Sequence, residues 1–213
     1  MTHFWHKNIL KYQPDSRPYA DVGEKNEALI DNWNSVVGEY DHIYHLGDLG
    51  FCSDTKMCAI LERLNGVKYL IRGNHDGRKQ GSAVIDHFNW VKDYYQLKGG
   101  KAGVILSHYP IYSWNRMHYG AIHLYGHTHG QIPYMHHMGM ARDVGADMNA
   151  CTPFNLDELI EDMTRIQGEL GIVDPRARGG RPDEHGPANN QCEGCAQGMP
   201  VMAGIHRMPN GTP

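Results

Sequence analysis

The chain has 213 residues, with 20 Lys and Arg against 24 Asp and Glu, and this length is enough for one domain with a sizeable core. The formal charge of -4 argues against a nucleic-acid partner chosen by bulk positive charge, and no apolar stretch approaches the roughly 20 residues needed to cross a membrane. Five cysteines form no even framework and no secretory signal begins the chain, so a cytoplasmic location is expected. The 15 histidines are unusual and need an explanation, because imidazole is a common ligand for metals and a common acid or base.

The first half of the chain alternates between helix and strand patterns. Apolar residues at helical spacing predict an amphipathic helix over 24–37, and a short strand over 41–46 then stops at Gly47-Asp48. Ser53 is placed to cap the following helix. A buried strand over 68–72 ends at a second polar cluster, Gly73-Asn74-His75-Asp76.

The second half repeats the pattern and then loses it. Strands are predicted over 91–97, 103–107 and 122–125, and the last two run directly into His108 and into Gly126-His127-Thr128-His129. A short strand over 143–147 and a helix opened by Asn155, as in a capping box, complete a domain over 1–167. Residues 168–213 are rich in Gly and Pro and lack apolar periodicity, which predicts a disordered tail.

Alternating strands and helices predict a layered α/β domain, in which functional groups gather on the loops at the carboxyl ends of strands. Five candidate ligands lie at such ends: Asp48, Asn74, His108, His127 and His129. One carboxylate, one amide and three imidazoles suit manganese, iron or zinc, and the lack of thiols disfavours a structural zinc cage. The Thr128 spacer leaves two arrangements open, with His127 and His129 on one side of an extended segment or splayed by a turn towards two metals.

These ordered motifs, Gly47-Asp48, Gly73-Asn74-His75-Asp76, Ser107-His108-Tyr109 and Gly126-His127-Thr128-His129, resemble those of calcineurin-like metallophosphoesterases over about residues 2 to 160. The resemblance implies a β-sandwich of two mixed sheets flanked by helices, with its first strand missing here. It also implies two divalent metal ions, with manganese favoured and iron, zinc or nickel as alternatives.

The resemblance assigns roles to individual residues. Asp48 would bridge the two metals. Asn74, His108 and His127 would complete the shell of one metal, whereas His129 and His3 would bind the other.

By the same resemblance, His75 is the general acid that protonates the leaving oxygen, and this role requires a protonated imidazole. Asp76 is a candidate for orienting it. Arg72 is a candidate for holding phosphate oxygens, on the ground of its proximity in sequence.

The chain departs from the family at the first motif, which is usually Asp-x-His. Here Met1-Thr2-His3 places Met where the Asp should stand, so a truncated amino terminus is the working hypothesis. Loss of this carboxylate should weaken the metal site of His3 and His129 most, and activity should return if the missing strand and its Asp are supplied.

The expected function is hydrolysis of a small phosphodiester or phosphomonoester through a hydroxide bridging two metals, without membrane or nucleic-acid partners. The alternative is an inactive metal-binding or interaction module that lost the first Asp. Nucleic-acid binding through the tail is a third hypothesis, supported only by Arg176, Arg178 and Arg181 with the Cys192-Glu-Gly-Cys195 segment. That segment could bind zinc, although a free pair of thiols is favoured.

Overall fold

The computed structural model describes residues 1–77, 81–99, 102–132 and 140–169 of the chain. It is a mixed α/β fold with two sheets flanked by helices, as expected. The first sheet has the order β1-β2-β3 and is wholly parallel, with strands His42–His45, Val67–Ile71 and Trp90–Lys92. The second has the order β4-β5-β6-β7, with strands Tyr94–Leu97, Val104–Ser107, Ile122–Tyr125 and Ala141–Asp143. Only β4 runs antiparallel to its neighbour in this second sheet.

The α-helices are α1 Ile9–Tyr12, α2 Val22–Val36, α3 Asp54–Leu61, α4 Ser82–Ile85 and α5 Leu156–Glu169. Asp21 caps α2 by accepting from the amides of Gly23 and Glu24, and Asn155 caps α5 as predicted. Ser53 occupies the N-cap position of α3, but its side chain makes no capping hydrogen bond. No helix among the described residues is long and apolar enough to span a membrane.

Two strand predictions were wrong in detail. The apolar run over 91–97 is two strands in different sheets, because the chain leaves the first sheet after Lys92 and enters the second at Tyr94. The predicted strand over 143–147 lies instead at Ala141–Asp143, and Ala146–Met148 forms a turn of 3-10 helix. The parallel first sheet also differs from the two mixed sheets expected.

Aromatic side chains join the two sheets. The rings of Trp90 in β3 and Tyr95 in β4 have centroids 4.5 Å apart, and Tyr44 of β1 stacks on Tyr95 at 6.4 Å. Residues 1–4 lie beside the segment that follows β1, where Phe4 forms a single parallel bridge with Gly50. The predicted tail and the Cys192 to Cys195 segment lie outside the described residues.

Candidate metal centre

Four loops at the carboxyl ends of strands meet at one place. Gly47-Asp48 follows β1, residues 73–76 follow β2, His108 follows β5 and residues 126–129 follow β6. The loops after β1, β2 and β5 touch so closely that a Cβ on Gly47 would lie 2.6 Å from Cα of Gly73 and 2.6 Å from Nδ1 of His108. Glycine is therefore required there both by space and by its φ of +87°.

His108 presents a lone pair to other hydrogen-bond acceptors. Its Nδ1 lies 2.7 Å from the carbonyl oxygen of Leu46, so Nδ1 carries the proton and donates it. Burial lowers the pKa of His108, which keeps the ring neutral and leaves Nε2 unprotonated. Yet Nε2 lies 2.9 Å from Oδ1 of Asn74 and 3.6 Å from Oδ2 of Asp48. Such a convergence of acceptors without a donor is the arrangement that a cation would satisfy.

His127 joins the same cluster. Its Nδ1 lies 3.2 Å from Nε2 of His108, and the ligand atoms of Asp48, His108 and His127 all lie within 4.8 Å of one another. Asp48 and His108 are buried, whereas Asn74 is exposed towards solvent. This chemistry, a carboxylate, an amide oxygen and two imidazoles, fits a divalent metal such as manganese, iron or zinc.

Asp48 lies between this cluster and a second one. Its Oδ2 is 3.7 Å from Nε2 of His3, as well as 3.6 Å from Nε2 of His108. His3 is only 2% exposed, and neither of its ring nitrogens has a hydrogen-bond partner. Burial lowers the pKa of His3, so the ring is neutral and its orphaned nitrogens can bind a metal.

His129 stacks on His3 rather than on His127. The ring centroids of His3 and His129 are 5.0 Å apart, and Nδ1 of His129 lies 2.7 Å from Oδ2 of Asp147. Burial opposes the ionisation of Asp147, but hydrogen bonds from His129 and Arg17 outweigh it and hold the pKa of this carboxyl below its usual value. Of the two arrangements left open by the Thr128 spacer, the structure has the turn that splays His127 and His129 apart.

The backbone at these positions is unusual. His3, Asp48, His127 and His129 all have positive φ values, of 51°, 55°, 69° and 50°. Non-glycine residues seldom adopt this left-handed conformation, and it clusters at functional sites where surrounding contacts hold it. Asp143 supplies such contacts, since its buried carboxylate accepts from the hydroxyl of Thr128 and the amide of Gly130.

The residues predicted to act as acid and orienting group lie at the edge of the centre. His75 is exposed, its amide donates to Oδ1 of Asp48, and its ring lies 4.6 Å from that of Phe51. Asp76 is buried, and its carboxylate accepts from the amides of Asp48, Leu49 and Gly73. Asp76 therefore braces the two loops, and its orientation of His75 stays a prediction.

Arg72 lines an open cleft beside the cluster. The cleft has a volume of about 530 Å³, and Asn74, His108, Tyr109 and Tyr94 are among its other lining residues. Nη1 of Arg72 lies 3.8 Å from a carboxylate oxygen of Asp93, which is largely exposed. The guanidinium can therefore exchange this partner for an anionic ligand in the cleft.

Sequence reasoning brought out the candidate ligands but missed several residues that contact them or their loops. These residues lie outside the recognised motifs, and their contacts with the centre come from other parts of the chain: Arg17, Asp143 and Asp147. Two further histidines, His45 and His123, lie inside β1 and β6. Nε2 of His45 contacts the hydroxyl of Thr2, whereas His123 binds backbone groups on both sides.

Comparisons with known proteins agree with this geometry. Over 166 residues the chain is 34% identical to the uncharacterized protein MJ1445 of Methanocaldococcus jannaschii, covering 75% of this chain and 86% of that protein. It is 26% identical over 200 residues to the Gene 66 protein of Mycobacterium phage L5, covering 80% and 94%. The crystal structure of AQ665 from Aquifex aeolicus, a protein of unknown function, shares the fold with a TM-score of 0.60 at 23% identity, covering 75% of this chain and 94% of that one.

A family model described as the calcineurin-like phosphoesterase superfamily domain matches residues 19–144, which is more than half of the chain. The matched region holds most of the candidate ligands, from Asp48 to His129, and Arg72, His75 and Asp76 lie within it too. The chain belongs to the calcineurin-like phosphoesterase superfamily.

Proposed function

We propose that the chain hydrolyses small phosphate esters, either diesters or monoesters, at a centre of two divalent metal ions. The observation that carries this proposal is the meeting of His108 Nε2 with the oxygens of Asn74 and Asp48, with no donor between them. Asn74, His108 and His127 would hold one metal, His3 and His129 the other, and Asp48 lies between the two groups. Manganese is the favoured ion.

Divalent cations held there would neutralise charge on the phosphoryl oxygens and lower the pKa of water, which would supply a nucleophile near neutral pH. The protein's own groups then bind and orient the ester. Arg72 lines the cleft beside Asn74 and His108, where its guanidinium would pair with nonbridging oxygens. His75, exposed beside Asp48, would give a proton to the departing oxygen.

The test is hydrolysis of an aryl phosphodiester and an aryl phosphomonoester with manganese, accompanied by metal analysis, for the wild type and two variants. We expect His75→Ala to keep its metal and to lose turnover by about 10²-fold or more, since it removes only the acid. We expect His127→Ala to lose both metal and turnover. Equal turnover of His75→Ala and the wild type would contradict the role of His75.

An inactive metal-binding module is the second candidate. Its support is that an exposed Asn74 and the orphaned His3 can bind metal whether or not turnover follows. Stoichiometric manganese without hydrolysis of either ester would favour this candidate. Binding of nucleic acid that weakens with salt would instead favour the hypothesis based on Arg176, Arg178 and Arg181.

A further inference from the structure

A buried ion pair lies behind the His3 and His129 half of the centre. The side chains of Arg17 and Asp147 are 0% and 2% exposed, and Nε of Arg17 lies 2.6 Å from Oδ1 of Asp147. Nη2 lies 2.9 Å from Oδ2, and the hydroxyl of Ser16 donates to Oδ1 at 2.7 Å. Burying two charges costs desolvation energy that the attraction between them barely offsets, so such a pair is poorly explained by stability alone.

Asp147 fixes the proton of His129. Arg17 and Ser16 donate to the carboxylate of Asp147, whose oxygens therefore act as acceptors, so the 2.7 Å contact between Oδ2 and Nδ1 of His129 places a hydrogen on Nδ1. The other nitrogen, Nε2, then carries the lone pair. Histidine ligands to metals commonly donate their second ring hydrogen to a carboxylate in this way, which fixes both the tautomer and the ring orientation.

Arg17 also holds the chain that leads into His3. Its Nη1 donates to the carbonyl of Thr2 at 2.8 Å, and Nη2 donates to the carbonyl of Met1 at 3.1 Å. The side chain of Lys25, which is also buried, donates to the carbonyl of His3 itself. One guanidinium therefore contacts the acceptor of His129 and the two peptide groups that precede His3.

We propose that the Arg17 and Asp147 pair is the positioning element of the His3 and His129 half of the centre. Asp147 selects the tautomer of His129 that leaves Nε2 free for a metal. Arg17 holds the carboxylate of Asp147 in place, and it also holds the backbone of the two residues that precede His3. This inference rests on the proposed metal centre, but it does not depend on turnover.

The first test reads the tautomer of His129 in metal-free protein by long-range proton and nitrogen NMR of labelled histidines. The wild type is expected to show hydrogen on Nδ1 of His129. In Asp147→Asn, the amide oxygen is expected to take the position of Oδ1, where it keeps two donors, Nε of Arg17 and the hydroxyl of Ser16. The amide nitrogen then takes the position of Oδ2, where it loses the bond from Nη2 of Arg17 and faces Nδ1 of His129. The hydrogen should therefore move to Nε2, as it should in Asp147→Ala, which removes the acceptor altogether.

His123 in β6 serves as an internal reference for folding. Its Nδ1 donates to the carbonyl of Ile105, so its tautomer should be the same in all variants. The matched control is Asp143→Asn. This buried carboxylate braces the same loop through Thr128 and Gly130 and, among the described residues, its hydrogen bonds do not include the ring of His129. It should lower stability yet keep hydrogen on Nδ1 of His129.

The second test titrates these proteins with zinc and follows the Nε2 resonance of His129. We expect Asp147→Asn to need about tenfold or more zinc than the wild type for the same shift, whereas Asp143→Asn should not. Three results would each overturn the proposal. They are a hydrogen on Nε2 of His129 in the wild type, an unchanged tautomer in Asp147→Asn, and a His129 resonance that does not shift when zinc is added. If the NMR spectra are as expected but the protein does not hydrolyse the esters, only the proposed function is refuted.

Discussion

The carboxylate of Asp76 accepts a hydrogen bond of 2.7 Å from the backbone amide of Asp48, and so ties the loop after β2 to the loop after β1. The same carboxylate also accepts from the amides of Leu49 and Gly73. Two loops that carry candidate ligands thus share one buried acceptor. This side chain therefore helps to fix their relative position.

Removal of this acceptor should therefore lower the stability of the fold. We expect Asp76→Ala to reduce the free energy of unfolding by about 3 kcal/mol or more, because each amide left without a partner costs about 1 to 3 kcal/mol. Urea denaturation measures the loss. Asp54→Ala is the control, since Asp54 accepts from the amide of Gly81 at an exposed position and should cost much less. Equal losses for the two variants would contradict the bracing role of Asp76.

Gly73 is the point where the two loops approach most closely. A Cβ added there would lie 2.5 Å from the amide nitrogen of Asp48 and 2.8 Å from Cε1 of His108, so both would have to move. We expect Gly73→Ala to weaken manganese binding by about tenfold or more, measured by calorimetric titration. Gly99→Ala, whose new carbon would have no atom of the described residues within 4 Å, should bind manganese as the wild type does.

His123 should make the fold sensitive to acid. Burial lowers its pKa from 6.5 to about 4, so between these values the unfolded chain binds a proton that the folded chain does not. The stabilising effect of its neutral ring is complete above pH 6.5 and is lost as the pH falls towards 4. We expect a loss on the order of 3 kcal/mol over this range.

The measurement is urea denaturation at several pH values for the wild type and His123→Gln. The variant should be less stable near neutral pH, because it loses the bonds to Ile105 and Ile111, but its stability should depend less on pH. His118→Gln, at an exposed position, should keep the pH dependence of the wild type. An identical slope in His123→Gln would show that other groups dominate.

Arg72 should affect substrate binding more than metal binding. We expect Arg72→Ala to raise KM for an aryl phosphate by about tenfold, which corresponds to about 1.4 kcal/mol, with manganese content unchanged. Steady-state kinetics with metal analysis measures both. Arg63→Ala removes an exposed arginine that pairs with Glu27, and it should leave KM unchanged. A fall in manganese content of Arg72→Ala would place the residue among the supports of the centre.

The sequence predicted the strand ends well because each motif is local. Asp48, Asn74 and His108 directly follow apolar strands, and parallel neighbours then bring those ends to one edge of the sheets. Arg17 and Asp147 could not be found in this way. They are 130 residues apart, and neither lies in a periodic segment that would fix its direction.

The division of an apolar run into strands was less predictable than the position of the motifs after the strands. The run over 91–97 has apolar residues on either side of Asp93, and its pattern is the same whether one strand or two are formed. The division depends on where the chain crosses between sheets, which local propensity does not encode. The tail was assigned from composition alone, and this stays a prediction.

The left-handed backbone at His3, Asp48, His127 and His129 has a consequence for anyone who engineers this chain. Each such residue costs on the order of 1 kcal/mol that glycine or asparagine would partly recover. Selection for heat resistance alone would thus favour replacing the candidate ligands themselves. A thermostable descendant of this chain should be screened for retained manganese before it is screened for anything else.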